Sequence, residues 1–164
     1  MIDKNSFNLI TVSRFHKQKS LDRLLIAYSE LIRNNKNDGL YIIGDGDEKE
    51  SLYNLTKKLG IFTNIRWLGL KANPYTYMKS MDLFVITSKY ESCLPGVIES
   101  LLIGLLLLTT NVAGVSEHIV DDGYGWIIKN NQKDISARLM ELTNKRELII
   151  NMRMKKYCLR AINY

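Results

Sequence analysis

Two carboxylates, Glu91 and Glu99, bracket the step Leu94-Pro95-Gly96-Val97, and four groups that carry or can carry positive charge, Arg14, His16, Lys17 and Lys19, crowd one short stretch near the N-terminus. Pro95 suits the first position of a helix, where its missing N–H costs nothing. The amides of Gly96 and Val97 would then have no acceptor within the helix, and Glu99 would lie about one turn further in. Cations together with unpaired amides at a helix start make an anion site. Carboxylates beside an anion site are contradictory only if the ligand is uniformly negative. A diphosphate flanked by sugar hydroxyls resolves the conflict, because the hydroxyls donate to the carboxylates while the phosphates meet the cations.

A third stretch, Gly44-Asp45-Gly46-Asp47-Glu48, suggests a tight turn close to a ligand. It lacks the third glycine of a dinucleotide fingerprint, and its later acidic spacing fails as a calcium loop. The two histidines, His16 and His118, have no spacing that supports a nucleophilic triad. Cys93 would sit near a helix start, where a thiol acidifies, but reads better as a small apolar residue. Glu117, at another helix start, reads equally as a contact with the ligand and as a helix-dipole residue, and Asp121 and Asp122 read as a turn. The basic run Arg153, Lys155, Lys156 and Arg160 reads as a solvated helix face or, more sharply, as contact with an acidic membrane surface.

The elements that must position these loops alternate short apolar runs with helical stretches. Strands are predicted over Asn8 to Ser13, Leu40 to Ile43, Asn64 to Leu68, Asp82 to Thr87, Leu105 to Thr110 and Trp126 to Ile128. Helices are predicted from an N-cap at Ser20 onward, over Glu48 to Leu59, around Pro74 to Ser80, and over Pro95 to Ile103, Ser116 to Val120, Asp134 to Leu142 and Glu147 to Ile162. Strands such as Leu40-Tyr41-Ile42-Ile43 are apolar on both faces, as a doubly covered parallel sheet requires. The expected fold is a doubly wound, Rossmann-like α/β domain, in which ligands bind outside the carboxyl ends of the strands.

The chain has 164 residues, a net charge of +6, 46% hydrophobic and 24% charged residues. This is the balance of one globular domain, and the mild basic excess suits anionic partners without choosing among them. Two cysteines are too few for a disulfide framework or a zinc site, and a reducing cytosol is the expected compartment, with peripheral contact at the inner membrane face as an extension. The longest apolar stretch, Leu101 to Leu108, is far short of the about 20 residues that cross a bilayer. Basic and acidic residues are interspersed with no basic-aromatic stripe, which disfavours nucleic acid.

The Glu91 to Glu99 stretch resembles the Glu–seven residues–Glu motif of retaining glycosyltransferases of the GT-B fold, nearest the large glycosyltransferase family four. Other features fall in family order: Val12-Ser13-Arg14 with Lys19, Ile43-Gly44-Asp45-Gly46, Arg66-Trp67-Leu68-Gly69, Asp82 to Ser88, Gly114-Val115-Ser116-Glu117 and Asp122-Gly123-Tyr124-Gly125. The resemblance implies the C-terminal, nucleotide-sugar-binding half of such an enzyme over residues 1–164, with a trailing helix at about 146–162. By it, Arg14 and Lys19 hold the donor diphosphate and stabilise the leaving nucleotide, assisted by Gly96 and Val97. Glu99 accepts from the ribose and Glu91 contacts the transferred sugar. Leu94, Pro95, Gly44 and Leu68 complete the donor site, and no metal or other cofactor is required. Three departures stand out: Ser20 where the family often has glycine, Cys93 where an aromatic is common, and Leu102, Leu105 and Leu106 in place of small residues and proline.

The resemblance further implies that a glycan or lipid-linked acceptor is bound by an N-terminal domain absent from this chain, and that the isolated domain is inactive. It suggests a hexosyltransferase of surface polysaccharide or lipopolysaccharide assembly. The alternative is a non-catalytic domain that binds a nucleotide or a partner.

Overall fold

The structure is a computed structural model that describes residues 6–34, 38–91, 95–119 and 123–152. Six strands are present: β1 (Asn8–Val12), β2 (Gly39–Ile43), β3 (Ile65–Gly69), β4 (Leu83–Ile86), β5 (Leu106–Thr110) and β6 (Gly125–Ile128). The helices are α1 (Leu21–Asn34), α2 (Lys49–Lys58), α3 (Tyr75–Met78), α4 (Pro95–Leu102), α5 (Val115–His118) and α6 (Gln132–Asn144). A 3-10 turn at Lys17–Lys19 precedes α1. The strands form one sheet in the order β3-β2-β1-β4-β5-β6, and every pairing is parallel.

Alternation along the strands explains the two layers. Leu9, Leu40, Ile42, Leu83, Val85, Leu106 and Leu108 point to one face, where Leu24, Leu25, Tyr28 and Leu31 of α1, Leu52 of α2 and Leu139 of α6 cover them. Their neighbours Ile10, Tyr41, Ile43, Phe84 and Leu107 point to the other, against Met78 of α3, Val97 of α4 and Val115 of α5. Side chains of successive strand residues face opposite ways, so a strand with both faces covered is predominantly apolar.

The strand and helix expectations hold with shifts of a residue or two at their ends. One detail is corrected. Ser20 does not act as a side-chain N-cap. Its backbone is left-handed, with φ 46°, and its hydroxyl donates back to the Lys17 carbonyl at 3.0 Å. The turn before α1 closes on itself, so the hydroxyl is spent there. The side-chain cap that sequence reading overlooked is Asn131, whose Oδ1 accepts from the Asp134 amide at 2.9 Å and starts α6 two residues earlier than expected. Of the trailing helix, 146–152 is helical and the remainder lies outside the described residues.

Candidate functional site

The strand order reverses direction between β1 and β4, the place where a doubly wound sheet opens a crevice. Hydrogen-bonded register shows how it opens. β1 pairs with β2 along its whole length, but with β4 only at Leu9 and Ile10. Beyond Ile10 the two carboxyl ends part, and a cleft of about 300 Å³ lies between them. It is lined by the end of β1 and its loop (Thr11 to Arg14), by Lys19 and Leu21, by the end of β4 (Ile86 to Ser88), by Glu91, and by Pro95, Gly96 and Val97 at the start of α4.

The cleft therefore brings together Arg14, Lys19, Glu91, Pro95, Gly96 and Val97. Arg14 is exposed at the rim. Lys19 Nζ contacts both carboxylate oxygens of Glu91, at 2.8 and 2.6 Å. Glu91 is the more enclosed partner, its side chain 8% exposed against 26% for Lys19. The Ser88 hydroxyl also donates to Glu91 Oε1. In this state the carboxylate is committed to the lysine rather than standing free beside it, a contact that sequence spacing did not suggest.

Both loops are cross-braced. The Gln18 carbonyl accepts from the Lys89 amide at 2.8 Å, and the Gln18 side-chain amide donates to the Tyr90 carbonyl at 2.8 Å. Thr87 Oγ1 donates to the Ser20 carbonyl at 3.0 Å, and Arg23 donates to the carbonyls of Thr87 and Asn130. From the far side Thr110 Oγ1 reaches the Ser88 carbonyl at 2.6 Å and Asn130 Nδ2 the Lys89 carbonyl at 2.9 Å. Partial burial draws the Arg23 guanidinium below its usual range, the neighbouring Asp22 opposing it. These bracing residues were missed by sequence reading. Their partners are distant in the chain, and isolated polar residues carry no periodic signal.

Three expected site residues do not line this cleft. Glu99 lies on α4 and accepts a hydrogen bond from the Tyr75 hydroxyl at 2.9 Å. That bond, followed by partial desolvation and the carboxylate's charge, holds the Tyr75 phenol above its ordinary pKa. Gly44 packs under the β1–α1 loop: a Cβ there would fall 1.9 Å from the Ser13 carbonyl oxygen, at φ +144°. Its job is to let the second loop support the first, a role continued by the bond from the Phe15 amide to the Asp45 carbonyl at 2.8 Å. Leu68 sits on edge strand β3, where the pairing skips between Ile42 and Ile43, and packs against the α3–α5 layer. Leu94, with Cys93, Asp121, Asp122, Arg153, Lys155, Lys156 and Arg160, lies outside the described residues. His16 Nδ1 accepts from the Gln18 amide, capping the 3-10 turn.

Among the described residues no three of His, Cys, Asp and Glu gather as a metal site. No helix among them is long and apolar enough to cross a membrane. A cleft with a rim arginine, a lysine paired to a carboxylate and a helix start is equipped to take a polyanion that also carries hydroxyls.

The fold and cleft define a Rossmann-like domain of the GT-B glycosyltransferase kind. Residues 1–158 match the family of glycosyl transferases group 1, and the chain belongs to that family. It is 31% identical, over 74% of its length and 33% of the relative's, to N-acetylgalactosamine-N,N'-diacetylbacillosaminyl-diphospho-undecaprenol 4-alpha-N-acetylgalactosaminyltransferase of Campylobacter jejuni. It superposes with a TM-score of 0.84 and 22% identity on WaaG, a glycosyltransferase involved in lipopolysaccharide biosynthesis, covering 93% of this chain and 42% of that one. A S. aureus TarM variant in complex with fondaparinux, alpha-GlcNAc-glycerol and UDP gives 0.83 and 20%, with 92% and 31% covered. The chain spans 27%, 24% and 33% of the length of three curated relatives it matches.

Proposed function

We propose that this chain is the donor-binding, C-terminal domain of a retaining glycosyltransferase that uses a nucleoside-diphosphate sugar. The observation that carries the reading is the meeting of Arg14, Lys19 and Glu91 with the first turn of α4 in the cleft between β1 and β4. Arg14 and Lys19 receive the pyrophosphate and stabilise the charge that develops on the leaving nucleotide, and the amides of Gly96 and Val97 add to that field. With two cations in this role, the reading calls for no metal. Glu91 accepts from hydroxyls of the transferred sugar. Glu99 reaches the ribose once Tyr75 shares or yields its carboxylate. The UDP present in the TarM variant supports a nucleoside diphosphate as the ligand class.

The acceptor, a glycan or a lipid-linked sugar as in the Campylobacter relative, is bound on this reading by a separate N-terminal domain. Surface polysaccharide or lipopolysaccharide assembly is the corresponding process, at the cytoplasmic side of the membrane. The domain alone is expected to bind donor without completing transfer.

Calorimetric titration with UDP, GDP, their sugars and duplex DNA tests the reading. Binding of a nucleoside diphosphate at millimolar concentration or below, unchanged by a chelator, is the expected result. DNA binding with no response to any nucleotide would overturn it.

A further inference from the structure

We propose that Glu91 competes with the bound pyrophosphate for Lys19, so that the site loosens its hold on a bare nucleoside diphosphate. The inference rests on the donor-site reading above and concerns what the ion pair does there. Glu91 grips Lys19 through both oxygens at 2.8 and 2.6 Å. Ser88 holds one of those oxygens from behind. The backbone on both sides is fixed: Gln18, the residue before Lys19, bonds to Lys89 and to Tyr90, the residue before Glu91. The pair is thus built into two braced loops rather than formed by two wandering side chains. At 26% and 8% exposure it is also partly sheltered from solvent screening.

A polyanion entering the cleft meets Arg14 freely, because no described group pairs with it, but meets Lys19 only by displacing or sharing the Glu91 carboxylate. When a sugar occupies the site, its hydroxyls offer Glu91 other donors. When the sugar has left, the carboxylate returns to the lysine and the remaining nucleotide loses half of its cationic grip. An acid placed beside a phosphate site therefore favours release of the leaving group over its retention.

The test is a double-mutant cycle read by calorimetry on the 164-residue chain with UDP and GDP as probes. Glu91→Gln keeps the shape and removes the charge, and circular dichroism checks that each variant is folded. Glu91→Gln is expected to tighten nucleotide binding by about fivefold. In the Lys19→Gln background the same change is expected to do almost nothing. Three outcomes overturn the proposal: unchanged or weaker binding by Glu91→Gln, equal tightening with and without Lys19, or loss of the fold in Glu91→Gln together with no tightening in Glu91→Ala. If neither nucleotide binds the wild-type chain, the donor-site reading itself fails and this inference falls with it. Binding by the wild type without the expected cycle defeats the inference alone.

Discussion

Glu91 and Glu99 belong to one sequence motif, yet they occupy unlike surroundings. Glu91 is enclosed between two loops, salt-bridged to Lys19 and backed by a hydroxyl. Glu99, half-buried on α4, accepts from a neutral phenol instead. The first region is braced by hydrogen bonds from α1, β5 and the segment after β6; in the second, Tyr75 of α3 donates to the Glu99 carboxylate. Electrostatics in the first region can be strong because the partners are held in place and partly desolvated, whereas the second joins the carboxylate to an uncharged hydroxyl through a more exposed bond.

Substitutions at the supports of the two regions should tell them apart. The largest effect is expected at the support of the braced region. Gly44→Ala puts a methyl into the Ser13 carbonyl at a backbone angle that side chains avoid, and should cost about 3 kcal/mol or more in a denaturant titration. Next comes Arg23→Ala, which removes the clamp on the Thr87 and Asn130 carbonyls and should cost about 2 kcal/mol while leaving the Tyr75–Glu99 end intact.

A smaller effect, with a pH signature, is expected from Tyr28. Its hydroxyl donates to the Asp38 carbonyl at 2.7 Å beneath α1. Burial, with the Asp38 charge nearby, pushes the phenol well above its ordinary range. The neutral phenol is therefore favoured in the folded state. Its contribution is complete below the ordinary tyrosine value of about 10 and is lost as pH rises from there toward the raised folded value. Tyr28→Phe should cost about 1 kcal/mol near neutral pH and flatten the alkaline fall in stability, as followed by thermal melts across pH. The smallest change is Tyr75→Phe, expected to alter stability by less than about 0.5 kcal/mol, since the pair is exposed. A loss comparable to that of Arg23→Ala would erase the distinction between the two regions.

Much of the fold was legible from residues alone. Doubly apolar strands such as Leu40 to Ile43 demand a covered parallel sheet, and a parallel sheet with helical crossovers fixes where its crevice opens. The grouping of Arg14 and Lys19 with Glu91 beside Pro95-Gly96-Val97 follows from which loops share the carboxyl end. What could not be read is the state of those groups. Spacing places Lys19 and Glu91 near one another but does not say that they pair. The bond from Thr110 to the Ser88 carbonyl and those from Asn130 depend on how far β5 and β6 extend beyond the crevice. Ser20 has the residue type of a cap, and only the closed turn before α1 shows its hydroxyl already used.

The central claim is that the β1–β4 cleft is a nucleoside-diphosphate site centred on Arg14 and Lys19. Backbone amide NMR during a UDP titration probes it residue by residue. The account predicts that the largest shifts fall on Ser13, Lys19, Gly96 and Val97, and that Arg14→Ala weakens the response by about tenfold. Shifts confined to another face, or a titration indifferent to Arg14, would contradict it.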